Sequence, residues 1–268
     1  TTEEEYDVTA PQYGVIFDLT EAWSVYASYS ESFRLNNARF TLSEQLTGPP
    51  DAYTPGALFP PEEGIGIDVG FKFDLYDGKL NGNITYFTIE HQNIGVPNPD
   101  VLDISGNPVV FPDGINETEG AEIELFYTAT DRLQLSIGAA YIDAVIAKGF
   151  GSATGNIGQV DILEGTKLPD ASDWNFSVFG RYTLSPQWLV GGGFVYKSGP
   201  APAYDLPPDF SWGSSVVVNL FVRYETTLLG QDVKVGLNLN NVFDEEYYTG
   251  QSMPNPGLNA KLNLTWIF

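Results

Sequence analysis

The chain has 268 residues, no cysteine, one histidine and a formal charge of −23, from 12 Lys and Arg against 35 Asp and Glu. That balance excludes nucleic acid, whose phosphate backbone needs a basic face, and the missing cysteines exclude a disulfide framework and any thiolate site. No apolar run approaches the roughly 20 residues of a membrane helix, but that test is blind to membrane strands, where only every second residue is apolar.

The opening TTEEEYDVTA has neither a basic start nor an apolar stretch, so no leader is read there and the chain is expected to be mature or truncated. From there period-two alternation runs to the end and helical periodicity is nearly absent. About eleven strands are predicted, at 10–20, 22–34, 64–76, 79–91, 116–129, 132–145, 172–184, 187–198, 213–227, 231–242 and 258–268. In WSVYASYSESFR, Trp23, Val25, Ala27 and Tyr29 oppose Ser24, Ser28, Ser30, Ser32 and Arg34. GIGIDVGFKFDL sets Ile65, Ile67, Val69, Phe71 and Phe73 against Gly66, Asp68, Gly70 and Lys72. AEIELFYT, RLQLSIGAAY, VVVNLFVRY and DVKVGLNLN split the same way, and the last strand sets Ala260, Leu262, Leu264, Trp266 and Phe268 against Asn259, Lys261, Asn263 and Thr265. A strand so divided has one face in an apolar medium and one in water.

Short connections with turn chemistry fall at DLTEA, LYDGK, TATDR, LSPQ and LLGQ. Long ones, rich in Pro, Gly and Asp, fill about 35–63, 92–115, 146–171, 199–212 and 243–257. Tight turns at one end and long loops at the other are the layout of an outer-membrane barrel. A soluble β-sandwich also alternates. Against it stand strands longer than the usual five or six or so residues, apolar faces ending in Tyr, Trp or Phe like an interfacial girdle, and opposite faces filled with polar side chains.

Several stretches, in order along nearly the whole chain, resemble the barrel of TonB-dependent receptors, in the siderophore-receptor branch. They are VYASYSESFRLNN, GIDVGFKFDLYDGKLNGNITYF, TEGAEIELFYTATDRLQLSIGAAYIDA, NLNNVFDEEYYTG and PGLNAKLNLTWIF. The resemblance implies an all-β antiparallel transmembrane barrel meander, with residues 1–268 as its C-terminal portion. About eleven of about 22 strands are then present, and the N-terminal plug and first barrel half lie outside the chain. It also implies import of a scarce chelate, a ferric siderophore first of all, without a chemical step. TonB would act through the missing plug, lipid and lipopolysaccharide would surround the barrel, and the location would be the bacterial outer membrane. The terminal strand would be read by the outer-membrane assembly machinery, with Lys261 at the polar position and Trp266 and Phe268 at the aromatic ones; Asn263 departs from the usual Gly. A passive porin-like channel and a soluble β-sandwich are the alternative readings.

Glu122 and Glu124 share a strand face, but no nucleophile or metal set accompanies them, so a hydrated lumen wall is expected in place of an acid–base pair. No catalytic residue, metal or cofactor is expected. Ligand contacts are expected near the outer mouth, from Arg34, His91, Tyr53, Phe111 and Trp212. Arg34 has a second reading, as the partner of a lumen carboxylate. Loop rings such as Phe59, Phe210, Tyr247 and Tyr248 either capture ligand or hold loops together. Gly191 to Gly193 point to close backbone approach or curvature. The acidity would repel an anionic chelate over a Debye length. Either the substrate is neutral or cationic, or positive charge comes from outside the chain.

Overall fold

A computed structural model describes residues 7–35, 59–102, 106, 108–149, 151–155, 158–162, 164–203, 206, 210, 212–249 and 253–267. In chain order the strands are β1 (Gln12–Asp18), β2 (Trp23–Arg34), β3 (Glu62–Leu75), β4 (Leu80–Leu102), β5 (Pro108–Thr128), β6 (Leu133–Lys148), β7 (Gly151–Gly155), β8 (Gly158–Ile162), β9 (Trp174–Thr183), β10 (Trp188–Lys197), β11 (Ser215–Leu228), β12 (Gln231–Asn240), β13 (Tyr248–Thr249), β14 (Met253–Pro254) and β15 (Asn259–Ile267). Eleven of them form one antiparallel meander, β1-β2-β3-β4-β5-β6-β9-β10-β11-β12-β15. No described residue is helical.

The expected eleven strands are therefore present, and the differences lie in the loops. The segment read as a loop over 92–115 is mostly the outer part of the β4–β5 hairpin, which runs to Leu102 and resumes at Pro108. Register shifts between His91 and Ile94 and between Ile94 and Val96 break the alternation while backbone pairing continues, so periodicity loses the strand there. The loops read over 146–171 and 243–257 likewise hold the small hairpins β7–β8 and β13–β14.

Cross-strand register turns the alternation into two faces. One rung of paired residues reads Phe17, Val25, Phe71, Ile84, Ile123, Ala139, Phe176, Tyr196, Val216. The adjacent rung on the opposite face reads Asp18, Ser24, Lys72, Asn83, Glu124, Gly138, Ser177. On that polar face Ser24 donates to Asp18, Ser28 to Asp68 and Asn83 to Glu124, and Lys72 lies over the Tyr26 ring. Glu122 and Glu124 thus stand on a hydrated wall. Among the described residues the buried apolar side chains are few, Phe59, Ala144 and Val233 with Pro61 and Pro112, while Ile67, Val69, Phe71, Ile84 and Leu220 are exposed. Among the described residues there is no dry interior between two sheets; the apolar face requires hydrocarbon outside the sheet.

The triple glycine has a specific cause. Gly193 pairs with Phe179 and Gly191 with Phe221, both on the polar face. The two rings stack across β10 with centroids 5.8 Å apart and planes 7° from parallel. A Cβ on Gly191 would strike the Phe221 ring, and one on Gly193 would strike the Val178 carbonyl. Bare backbone lets the rings lie flat on the wall.

Three tight turns repeat one device. Thr20, Thr130 and Ser185 each accept with their hydroxyl from the backbone N–H groups two and three residues on. In each, the backbone N–H of the Ser or Thr also donates to the carbonyl three residues on. The hydroxyl thereby satisfies donors that a two-strand reversal leaves open.

Candidate functional site at the loop end of the lumen

The long connections leave the sheet opposite the tight turns, and the polar face carries a charged cluster there. Arg34 closes β2, Glu62 opens β3 and His91 lies on β4; register pairs Arg34 with Glu62 and His91 with Gly64. Glu62 Oε2 takes both basic groups, Arg34 Nη2 at 2.5 Å and His91 Nε2 at 2.8 Å. The Glu62 side chain is 10% exposed, that of His91 39% and that of Arg34 75%. A buried carboxylate thus anchors two accessible basic groups. They border a cavity of about 370 Å³ together with Ser32, Asn116 and Leu168.

The structure therefore joins two of the sequence candidates, and Arg34 does pair with a carboxylate. Glu62 was not foreseen, because it falls in a stretch read as loop, two residues before the expected strand. The only signal was that extending the β3 alternation backwards puts Glu62 on the polar face.

Trp212 belongs to a second group. It meets Phe210 edge-on at 4.8 Å and Tyr248 at 5.3 Å. A smaller cavity of about 130 Å³ adjoins it, bordered by Lys197, Asp170, Ser198 and Glu246. Phe111 pairs with Val96 on the β5 extension and borders neither cavity. Phe59 is buried, with its ring beside Gly95, and packs its loop. Tyr53 lies outside the described residues.

The carboxylates of the loop end are sorted by face. On the apolar-face parity, beyond Tyr29 and Tyr86, stand Glu31, Glu63, Glu90, Glu117, Glu119 and Asp143. Tyr86 donates to Glu119 at 2.9 Å and Tyr29 donates to Glu31, so phenols mark the level where the apolar band ends. On the polar face at this level Glu62 is already paired. These six carboxylates have the outward parity, although Glu63 also borders the cavity beside Arg34 and His91, and Asp68, Glu122 and Glu124 remain on the polar face.

Two fastenings shape this end. Lys167 Nζ bridges Asp143 at 2.8 Å and Asp173 at 3.0 Å, while the neighbouring backbone bonds to β6 through Thr166–Ile146 and Leu168–Ala144. The hydrogen bond to Asp143 holds the Lys167 pKa above its ordinary value; burial acts the other way, and the bond to Asp173 adds to the rise. Asn241, 2% exposed with φ +52°, donates to the Glu245 and Pro256 carbonyls and accepts from Glu245 N–H. Asp244 Oδ1 accepts from Leu258 N–H at 2.7 Å. The NNVFDEEYY stretch is thus a staple that closes the 241–258 loop.

With this geometry in view, the comparisons agree. The family described as TonB dependent receptor-like, beta-barrel matches residues 1–242, and the chain belongs to that family. Its location is the bacterial outer membrane. The chain is 31% identical over 246 residues to the ferric-pyoverdine BN7/BN8 receptor of Pseudomonas putida, covering 92% of this chain and 26% of that protein. It is 27% identical over 252 residues to the metal-pseudopaline receptor CntO of Pseudomonas aeruginosa, covering 92% and 31%. Among solved structures, P. aeruginosa FpvA bound to heterologous pyoverdines superposes with TM-score 0.75 at 22% identity, over 97% of this chain and 33% of that one. The siderophore receptor PiuA of Acinetobacter baumannii gives 0.72 at 24%, over 94% and 35%. The chain spans about a quarter to a third of these relatives' length, and the structural likeness shows the fold. The family is one of receptors, not enzymes.

Proposed function

We propose that the chain forms part of the barrel of a receptor that imports a ferric siderophore, or a similar metal chelate, by coupling to TonB. The observation that carries this is the lumen-side placement of the Arg34–Glu62–His91 cluster at the end where the long loops emerge. Family membership and the ligands named for the relatives support it. Arg34 and His91 contact the chelate at the mouth, and Trp212 contributes a ring; Phe111, on the β5 extension, and Tyr53 are the further candidates. No chemical step is involved.

No described strand pairs with the free edge of β1 or of β15. Open backbone edges in lipid are too costly to persist. Further strands of the same protein close the barrel, and a plug inside it carries the TonB contact. Lys261, Trp266 and Phe268 form the assembly signal: Lys261 pairs with Asn238 and Trp266 with Val233 on β15, and Phe268 lies outside the described residues.

The test is uptake of radioactive iron from a panel of ferric siderophores by a strain lacking the receptor and by the same strain complemented. Uptake that needs both the receptor and TonB supports the proposal. Uptake by the receptor without TonB supports a passive channel, and no uptake of any chelate sinks the import reading.

A further inference from the structure

The cavity beside Trp212 is ringed by charges of both signs. Lys197 ends β10, where it pairs with Asn175 and Ser215 on the polar face, and Asp170 and Glu246 border the same hollow. Among the described residues none of these three side chains is ion-paired. At about 130 Å³ the space is well below the roughly 300–1,000 Å³ of a whole-ligand pocket, so it admits one ring-sized group. Trp212 and Tyr248 border it with planes 40° apart, an open wedge, while Phe210 meets the indole edge-on and does not border the cavity.

We propose that this cavity is a subsite for an uncharged, hydroxyl-bearing ring, a sugar or cyclic polyol. A bare cation placed there faces Lys197, and a bare anion faces Asp170 and Glu246. A zwitterion would have to give up hydration for ion pairs with exposed groups, which return little. Hydroxyl groups satisfy both signs at once, donating to the carboxylates and accepting from the ammonium. Ser172, Ser198 and Ser214 add to that set, and Ser198 Oγ already accepts from Trp174 N–H at 3.0 Å, which leaves its own hydrogen to donate. The C–H face of the ring lies on the indole, where contact area stabilises it.

The walls are fixed by the chain itself. Asp170 N–H donates to the Ala201 carbonyl at 2.9 Å and Ala201 N–H to the Ala171 carbonyl at 2.8 Å, which ties 170–171 to the segment after β10. A Cβ on Gly199 would lie 2.9 Å from the Gly213 carbonyl, so bare backbone packs there. Asn255 N–H holds the Tyr247 carbonyl at 3.0 Å, and Asn241 holds Glu245. A hollow built this way costs little to order on binding. Leu168 borders the cavity of Arg34 and His91, and Asp170, two residues and at most about 7 Å further along the chain, borders this one. The two cavities are neighbours. The ring is thus an arm of the imported chelate or a sugar of the surrounding glycolipid, and the first source rests on the mouth being the import site.

The probes are methyl glycosides of glucose, galactose and mannose, followed by saturation-transfer NMR on the purified intact receptor in a detergent without a sugar headgroup. At least one should bind saturably with a Kd on the order of 1–10 mM, the strength of a single small group. Trp212→Ala should weaken it at least about tenfold, and Trp212→Phe by less, because a ring remains. Asp170→Asn and Glu246→Gln should weaken it only about threefold each, since the amides still accept from hydroxyl groups. Heat-dependent gel migration checks that each variant is folded. The proposal is overturned if no glycoside saturates below about 100 mM, if acetate, tetramethylammonium or glycine binds more tightly through Trp212, or if Trp212→Ala binds the glycoside as wild type does. A bound glycoside that slows uptake of the transported chelate assigns the ring to the chelate; binding without that effect assigns it to the glycolipid. Glycoside binding needs neither iron nor TonB, so its failure leaves the uptake test standing, and a failure of uptake leaves the glycoside result standing.

Discussion

The two ends of the sheet are built by different rules. At the turn end, reversals of a few residues are closed by a Ser or Thr hydroxyl or by left-handed residues, all within a handful of positions in sequence. At the loop end, Asn241 reaches Pro256, Lys167 reaches Asp143, and Arg34 reaches Glu62, with 15 to 28 residues between partners. Local chemistry suffices where strands only have to turn round. A binding surface has to hold long segments in place, and that needs contacts between distant positions.

If the loop end is held by such contacts, breaking its best-buried one should cost more than any single change in a turn. Asn241→Ala removes three side-chain hydrogen bonds and leaves Ala in a left-handed conformation. A loss of about 2–4 kcal/mol is expected in denaturant unfolding of the folded receptor. A loss below that of the turn variants would undo the contrast. At the turn end Thr130→Val removes two exposed hydroxyl bonds and should cost about 0.5–1 kcal/mol in the same assay.

The turn end also offers an improvement. Leu229 and Gly230 join β11 to β12 with φ of +54° and +78°, the two left-handed positions of a tight hairpin. Leu is ill suited there and is 87% exposed, so it gains nothing in packing. Leu229→Asn should stabilise by about 0.5 kcal/mol, read as a shift in the unfolding midpoint.

The smallest effect is expected at Lys167→Met, under about 0.5 kcal/mol, because that ammonium is 38% exposed and its ion pairs are screened. Its pKa is raised, so the stabilisation is fully present below the ordinary lysine value and lost only as pH rises through the higher folded one. Wild type and Lys167→Met should therefore differ by a constant amount between pH 6 and 9. A difference that shrinks within that range would mean that another group carries the clamp.

The legibility of the sequence follows the same division. Period-two alternation placed the eleven strands and their two faces, because each side chain's choice between water and hydrocarbon is made residue by residue. Where bulges at His91 and Ile94 broke the alternation, the hairpin was lost to a loop although its backbone bonds persist. NNVFDEEYY was recognisable by resemblance alone; its physical role became visible only when Asn241 was seen bonded across the loop. Glu62 stayed hidden for the same reason, since a carboxylate beside two prolines carries no local mark of Arg34 or His91.

The sequence by itself determined which residues face lipid, which face water, where the chain turns and how many times it crosses. Those follow from short-range preference and from the alternation of side chains along an extended backbone. Tertiary structure alone decided that Arg34 and His91 share one buried oxygen, and that the glycines of β10 are a floor for two stacked rings. Register and loop closure set these, because both depend on partners far apart in sequence.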